Sequence, residues 1–223
     1  MVDAERKFIC VDKDLFVSYA MLRFFILFLF LPLTSLADHV KSFDDFEWGT
    51  SRTEIIQIRG NPTYLYDTSM SYSSPPDVIG GYGVEVVYFR FKEGCSVLKE
   101  SISEPCYLWR GDYRLLTKSE AEFQKLIEVL SGIYGESYKE TTNKDELDYY
   151  TKTFLAENVF TDIIFEQSDG SSVVLAKHEY DRDFYNKLME KTYKKGIQNI
   201  YVRYQSSEYN QIQKRKELKN KGF

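Results

Sequence analysis

The polar and apolar positions of this chain follow two rhythms. Val84 to Phe91 (Val-Glu-Val-Val-Tyr-Phe-Arg-Phe) alternates with a period of two, as do residues 159–166, 171–180 and 197–204, and each reads as a strand with one face inward. Shorter runs at Cys95–Leu98, Cys106–Trp109 and Tyr113–Leu116, and a stretch at about 147–155, read as further strands. Ser168-Asp169-Gly170-Ser171 is a hairpin turn in which Gly supplies positive φ. Between them Phe123, Leu126, Ile127, Leu130 and Ile133 recur at three- and four-residue spacing, predicting a helix with one buried face. Thr117-Lys-Ser-Glu120 opens it as a capping box and Gly135 ends it. A shorter helix carries Ile55, Ile56 and Ile58 between the capping box Ser51-Arg-Thr-Glu54 and the stop Gly60-Asn61-Pro62.

The remaining segments are less regular. Residues 38–47 read as a polar lead-in, and Ser69–Gly83, rich in Ser, Pro and Gly, reads as the longest loop. Asp181–Lys195 predicts a helix with Phe184, Leu188 and Met189 inward. The order of helix, Gly stop and antiparallel strands occurs twice, over 46–116 and 117–204. The expected fold is therefore α+β, an antiparallel sheet packed against helices, built from a duplicated helix-then-strands module within residues 38–207. Residues 208–223 form a basic tail, with Lys214, Arg215, Lys216, Lys219 and Lys221 against Glu208 and Glu217, expected to be solvated and partly helical.

A third pattern lies near the N-terminus. Met21-Leu-Arg precedes the apolar run Phe24–Leu31, then Pro32 and the small-residue end Ser35-Leu36-Ala37. This is the layout of a secretory signal peptide over residues 21–37, with cleavage expected between Ala37 and Asp38. Residues 1–20 are then a leader, and Met21 is the expected true start. The alternative is a single N-terminal anchor over residues 22–36, although its apolar stretch falls short of the ~20 residues a spanning helix needs. Asp38 after the cleavage site cannot take a lipid, so no lipoprotein is expected. The expected location is periplasmic or secreted, with no stable membrane span after cleavage.

Composition narrows the chemistry. Cleavage would remove Asp3, Glu5, Asp12 and Asp14 together with Arg6, Lys7, Lys13 and Arg23, leaving the net charge at -5. That balance argues against a nucleic-acid partner, which needs a surplus of cations. About 185 residues remain, enough for one domain with its own core. Of three cysteines, Cys10 leaves with the leader, and Cys95 and Cys106 form an even pair in an oxidising compartment, where a disulfide pinning a hairpin is expected. Neither His39 nor His178 is placed to activate a thiol, so a catalytic cysteine is not expected.

No catalytic, cofactor-binding or metal-ligating residue is singled out. Asp44, Asp45 and Glu47 have chelating chemistry, yet an exposed acidic lead-in explains them. Glu85, Asp162 and Glu166 are the carboxylates a hydrolase of envelope polymers would use, and the 18 Tyr with Trp109 are what a small-ligand binder would stack against. Strand alternation accounts for both sets.

Two stretches support a comparison: Phe46-x-Trp48-Gly49-Thr-Ser51-x-x-Glu54-Ile-Ile-x-Ile-x-Gly60-x-Pro62, and Phe123-x-x-Leu126-x-x-x-Leu130-x-x-x-Tyr134-Gly135. They resemble uncharacterised bacterial secreted proteins whose fold is like the β-lactamase inhibitory protein and the small SmpA/OmlA lipoproteins of outer-membrane assembly. The resemblance implies non-enzymatic binding of other proteins through a concave sheet, with no cofactor. It carries over no binding residue and names no particular envelope partner.

Overall fold

The structure is a computed structural model, and it describes residues 40–79, 81–96, 105–146, 157–186 and 190–221. The leader, the signal peptide and the Ala37–Asp38 junction lie outside the described residues, as does the strand expected over 147–155. In chain order the elements are β1 (Ser42–Phe43), β2 (Phe46–Glu47), α1 (Arg52–Arg59), β3 (Tyr64–Tyr66), β4 (Ser69–Ser73), β5 (Val78–Ile79), β6 (Tyr82–Phe91), β7 (Leu108–Leu115), α2 (Glu120–Tyr134), β8 (Lys139–Glu146), β9 (Glu157–Glu166), β10 (Ser172–Tyr180), β11 (Phe184–Asn186), β12 (Lys191–Tyr193), β13 (Gly196–Gln205) and α3 (Ser207–Asn220).

The chain is thus mostly antiparallel sheet with three helices among the described residues, an α+β fold. The main sheet runs β3-β4-β6-β7-β13-β10-β9-β8, and β5 joins the outer side of β6 beyond β4. Its middle is the pairing of β7 with β13, in register from Arg110 opposite Gln205 to Arg114 opposite Tyr201. None of the described helices is long and apolar enough to cross a membrane.

Alternation sorts the side chains onto two faces. Met70 on β4, Val87, Phe89 and Phe91 on β6, Tyr113 and Leu115 on β7, Ile200 and Val202 on β13, Val173 and Leu175 on β10, and Ile163 and Phe165 on β9 form one buried core. Helix α1 adds Ile55 to it and α2 adds Phe123, Leu126 and Leu130. Both helices start at a serine: Ser51 accepts a hydrogen bond from Glu54 N, and Ser119 accepts one from Glu122 N. The cap of α2 is therefore Ser119 and not Thr117, because Ser119-Glu-Ala-Glu122 is itself a capping box two residues further on. Ile58 and Ile133, counted among the apolar positions, are 70% and 53% exposed.

Four expectations are corrected. Residues 69–83 are not a loop: Ser-Met-Ser-Tyr-Ser is a period-two strand, β4, whose polar positions are small serines and whose Met70 and Tyr72 point into the core. Cys106–Trp109 and Tyr113–Leu116 are not two strands but one, β7, continuing through Gly111. Asp181–Lys195 is not helical in its described parts. It holds the β11–β12 hairpin, because Phe184 stacks on Tyr193 at 5.1 Å and Tyr180 meets both rings edge-on, a contact a helix would break. Leu188 and Met189 lie outside the described residues. The lead-in buries Val40, Phe43 and Phe46 through the β1–β2 hairpin, turned at Asp44 and Asp45, both at positive φ. Gly111 makes room for it, since a Cβ there would collide with the Phe43 ring.

Strand β8 (Lys-Glu-Thr-Thr-Asn-Lys-Asp-Glu) has no apolar residue to announce it. It is an edge strand, and its charges suit a position that borders water. The basic tail begins as the helix α3, which buries no residue but is anchored at its start by the Ser206 cap, by Tyr209 edge-on to Trp109 at 5.2 Å, and by Asn210 donating to the Gly170 carbonyl.

Candidate interaction face

The side chains of the central strands that alternate away from the core form a second face. Tyr88 and Arg90 on β6, Arg110, Asp112 and Arg114 on β7, and Tyr201 and Arg203 on β13 occupy adjacent ladder positions, since Tyr88 pairs with Asp112, Arg90 with Arg110, Arg203 with Asp112 and Tyr201 with Arg114. The signal in the sequence was an aromatic or charged residue at every second position (Tyr88-x-Arg90, Arg110-x-Asp112-x-Arg114, Tyr201-x-Arg203). Each pattern is short, and only the pairing of strands about 90 residues apart in sequence shows that the three lie side by side.

Asp112 is the hub. Its side chain is 2% exposed and accepts from Arg90 Nε at 2.6 Å and from Arg110 Nε and Nη2 at 3.0 and 2.9 Å, with Arg203 Nε at 3.7 Å. Burial pushes its carboxyl pKa up, but Arg110, Arg90 and Arg203 together outweigh that and hold it below the ordinary carboxylate value. A buried carboxylate with three guanidinium groups fixes those groups in place, which is a matter of geometry more than of net stability. Arg110 is further held by the Tyr209 hydroxyl at 3.0 Å, where the first turn of α3 lies beside it.

Further out, Arg203 Nη1 reaches Asp162 at 3.3 Å, and Arg114 Nε lies 3.1 Å from Glu85 Oε2. Arg90 and Arg114 both approach the Tyr88 ring, at 5.8 and 5.9 Å from its centroid, and Arg203 approaches Tyr201 at 5.5 Å. Beyond β13 the same face passes to Val174 and Ala176 and then to His178, which stacks on Phe160 at 4.7 Å and contacts Asn158 through Nε2 at 2.8 Å. Burial depresses the His178 pKa.

The sequence-derived candidates are not assembled into a catalytic group. Glu85 on β6 and Asp162 on β9 are four strand spacings apart, about 19 Å, against the roughly 5–10 Å between carboxylates that cleave glycosides. Each is paired with an arginine instead, and Glu166 is exposed at the end of β9. Asp44 is turned inward, not exposed. It is paired with Arg59, accepts from the Tyr113 hydroxyl at 3.1 Å, and has its pKa raised by burial. Among the described residues no group of acidic, His or Cys side chains is arranged to hold a metal. Trp109 is 6% exposed and committed to Tyr209, so it offers little surface for stacking. Beside it a cleft of about 330 Å³ is lined by Trp48, Lys92, Tyr107 and Glu208.

Cys95 follows β6 half-buried against the core, and Cys106 precedes β7 fully buried. The Arg52 guanidinium, itself 1% exposed, donates to Cys106 Sγ at 3.0 Å and to the Tyr66 and Asp67 carbonyls at 2.9 Å each. It thereby ties the start of α1 to the β3–β4 turn.

The class defined by these features is an antiparallel α+β domain with α1 and α2 on one face of its sheet and an arginine–tyrosine lattice on the other. No family model matches the chain, no curated protein matches it, and no solved structure matches it.

Proposed function

We propose that this protein is a non-enzymatic, secreted or periplasmic protein-interaction or scaffold domain that binds an envelope protein through the face around Tyr88, Asp112 and Tyr201. The observation that carries this reading is the composition of that face. Tyr and Arg are the residues that concentrate binding energy at protein interfaces, and here they are rigidly presented by paired strands and by the Asp112 hub. The buried sides of α1 and α2 turn to the opposite face, so neither helix covers the surface around Tyr88 and Tyr201.

Three further elements belong to the same reading. Duplication is supported by the mirrored strand order: α1 precedes β3, β4, β6 and β7, α2 precedes β8, β9, β10 and β13, and the two sets meet antiparallel at their last strands. A signal peptide over residues 21–37, cleaved before Asp38, would put the domain outside the cytoplasm. A Cys95–Cys106 disulfide would close the β6–β7 connection there.

The test is site-specific photo-crosslinking in the host, with a benzophenone side chain at Tyr201 or, as control, at Ile58, which is exposed on α1. A discrete envelope protein crosslinked from Tyr201 and not from Ile58 supports the proposal. No adduct from Tyr201, or the same adducts from both positions, overturns it.

A further inference from the structure

We propose, resting on the reading of this face as a protein-binding surface, that the lattice around Tyr88 captures a carboxylate side chain of the partner, held between Arg90 and Arg114. The argument begins with donors that the fold leaves unspent. Arg90 uses Nε on Asp112, its terminal nitrogens make no hydrogen bond among the described residues, and its side chain is 43% exposed. Arg114 directs its buried Nε at Glu85, its terminal nitrogens likewise make no hydrogen bond among the described residues, and its side chain is 25% exposed. A guanidinium whose fork is open and whose position is fixed is the usual partner of an incoming carboxylate, because two parallel N–H donors match its two oxygens.

Charge selects the ligand. Arg90, Arg110, Arg114 and Arg203 face Asp112, Asp162 and Glu85, four cations against three anions, so the patch carries one positive charge on a protein whose net charge is -5. One surplus charge suits a single Asp or Glu side chain. A polyphosphate or other dense polyanion would set its further charges against Asp112, Asp162 and Glu85, and like-charge juxtaposition of that kind rejects partners. The Tyr88 and Tyr201 rings supply flat apolar surface on either side, which fits a polypeptide carrying an acidic residue amid apolar neighbours.

The experiment is a titration of the isotope-labelled full chain, followed by backbone amide NMR, with a capped Leu-Ala-Glu-Ala-Leu peptide, its counterpart with Lys in place of Glu, and inorganic phosphate. The Glu peptide is expected to shift the amides of Tyr88, Arg90 and Arg114, with at least tenfold weaker binding in Arg90→Gln/Arg114→Gln and no comparable effect of the Lys peptide. Localisation in the unaltered chain tests the idea even if that variant folds poorly. Equal binding of phosphate would mean a small-anion site and overturn capture of a partner's carboxylate, as would absence of any shift. Crosslinking from Tyr201 separates the two readings. A partner still crosslinked in Arg90→Gln/Arg114→Gln leaves the binding face standing while carboxylate capture falls, a partner crosslinked in the unaltered chain alone supports both, and no adduct in either removes both.

Discussion

Asp112 and Arg90 sit on neighbouring strands with Nε and Oδ2 at 2.6 Å, the carboxylate 2% exposed and the guanidinium 43% exposed. The anion is therefore enclosed while the cation opens to solvent, and the central face is positive because its negative charge is inside. This asymmetry makes Asp112 the residue whose loss is felt most widely.

Replacing Asp112 with Asn leaves Arg110, Arg203 and Arg90 facing one another without a counter-charge. The expected loss is about 3–5 kcal/mol, the range for breaking a buried ion pair from one side. Urea unfolding measures it, and an undiminished midpoint would show that the hub contributes no net stability.

The pH dependence follows from the direction of the Asp112 shift. Because the folded carboxyl titrates below its ordinary value, its contribution is present above about pH 4 and is lost as the pH falls through the folded value. The native chain is expected to lose stability on acidification below about pH 4, and Asp112→Asn to lose less over the same interval. Parallel slopes for the two proteins in urea midpoint against pH would refute this.

The helices were the most legible part of the fold, because capping and spacing are local signals. Ser51, Phe123, Leu126 and Leu130 do what their positions announce. What was hidden depended on partners. Ser69–Ser73 looks like a flexible segment until Phe89 and Val87 are seen opposite Met70 and Tyr72, and Phe184 looks helical in its spacing to Leu188 and Met189 until Tyr180 and Tyr193 are seen against its ring. Likewise the arginine–tyrosine face is assembled from residues as far apart as Tyr88 and Arg203, and no window of the sequence contains it.

Gly111 and Phe43 form a pair in which one lacks the atom the other displaces. Gly111→Ala is expected to destabilise by about 1–3 kcal/mol through overpacking. Phe43→Leu should recover part of that loss in the double variant, so a double-mutant cycle in denaturant would show coupling. Strict additivity would argue against the contact.

Arg52 satisfies two main-chain carbonyls and approaches the Phe91 ring at 5.2 Å. Arg52→Ala removes those donors from a buried site, with an expected loss of about 3 kcal/mol. Hydrogen exchange should speed first in the β3–β4 hairpin, from Tyr64 to Ser73. Unchanged protection there would contradict the role of Arg52 as its tie.

Intact mass of protein recovered from its host's envelope fraction tests the N-terminal and cysteine expectations together. The expected chain begins at Asp38 and shows two alkylation sites only after reduction. If Cys95 and Cys106 are joined, reduction should cost roughly 3 kcal/mol in unfolding free energy, the value for so short a loop. A mass retaining residues 1–37, found in the membrane pellet, would establish the anchor instead.

The seam between β7 and β13 joins residues 110–114 to residues 201–205. Its second strand is the last of the described strands in sequence, so the two halves of the sheet can close only when residues through Gln205 are available. Pairing so distant in sequence is slow, since loop closure precedes the contacts that reward it. As the chain emerges from the ribosome, β7 therefore keeps an unpaired inner edge until β13 has been made. The timing of folding is set at β13, and truncation before Gly196 would leave two half-sheets without their common border.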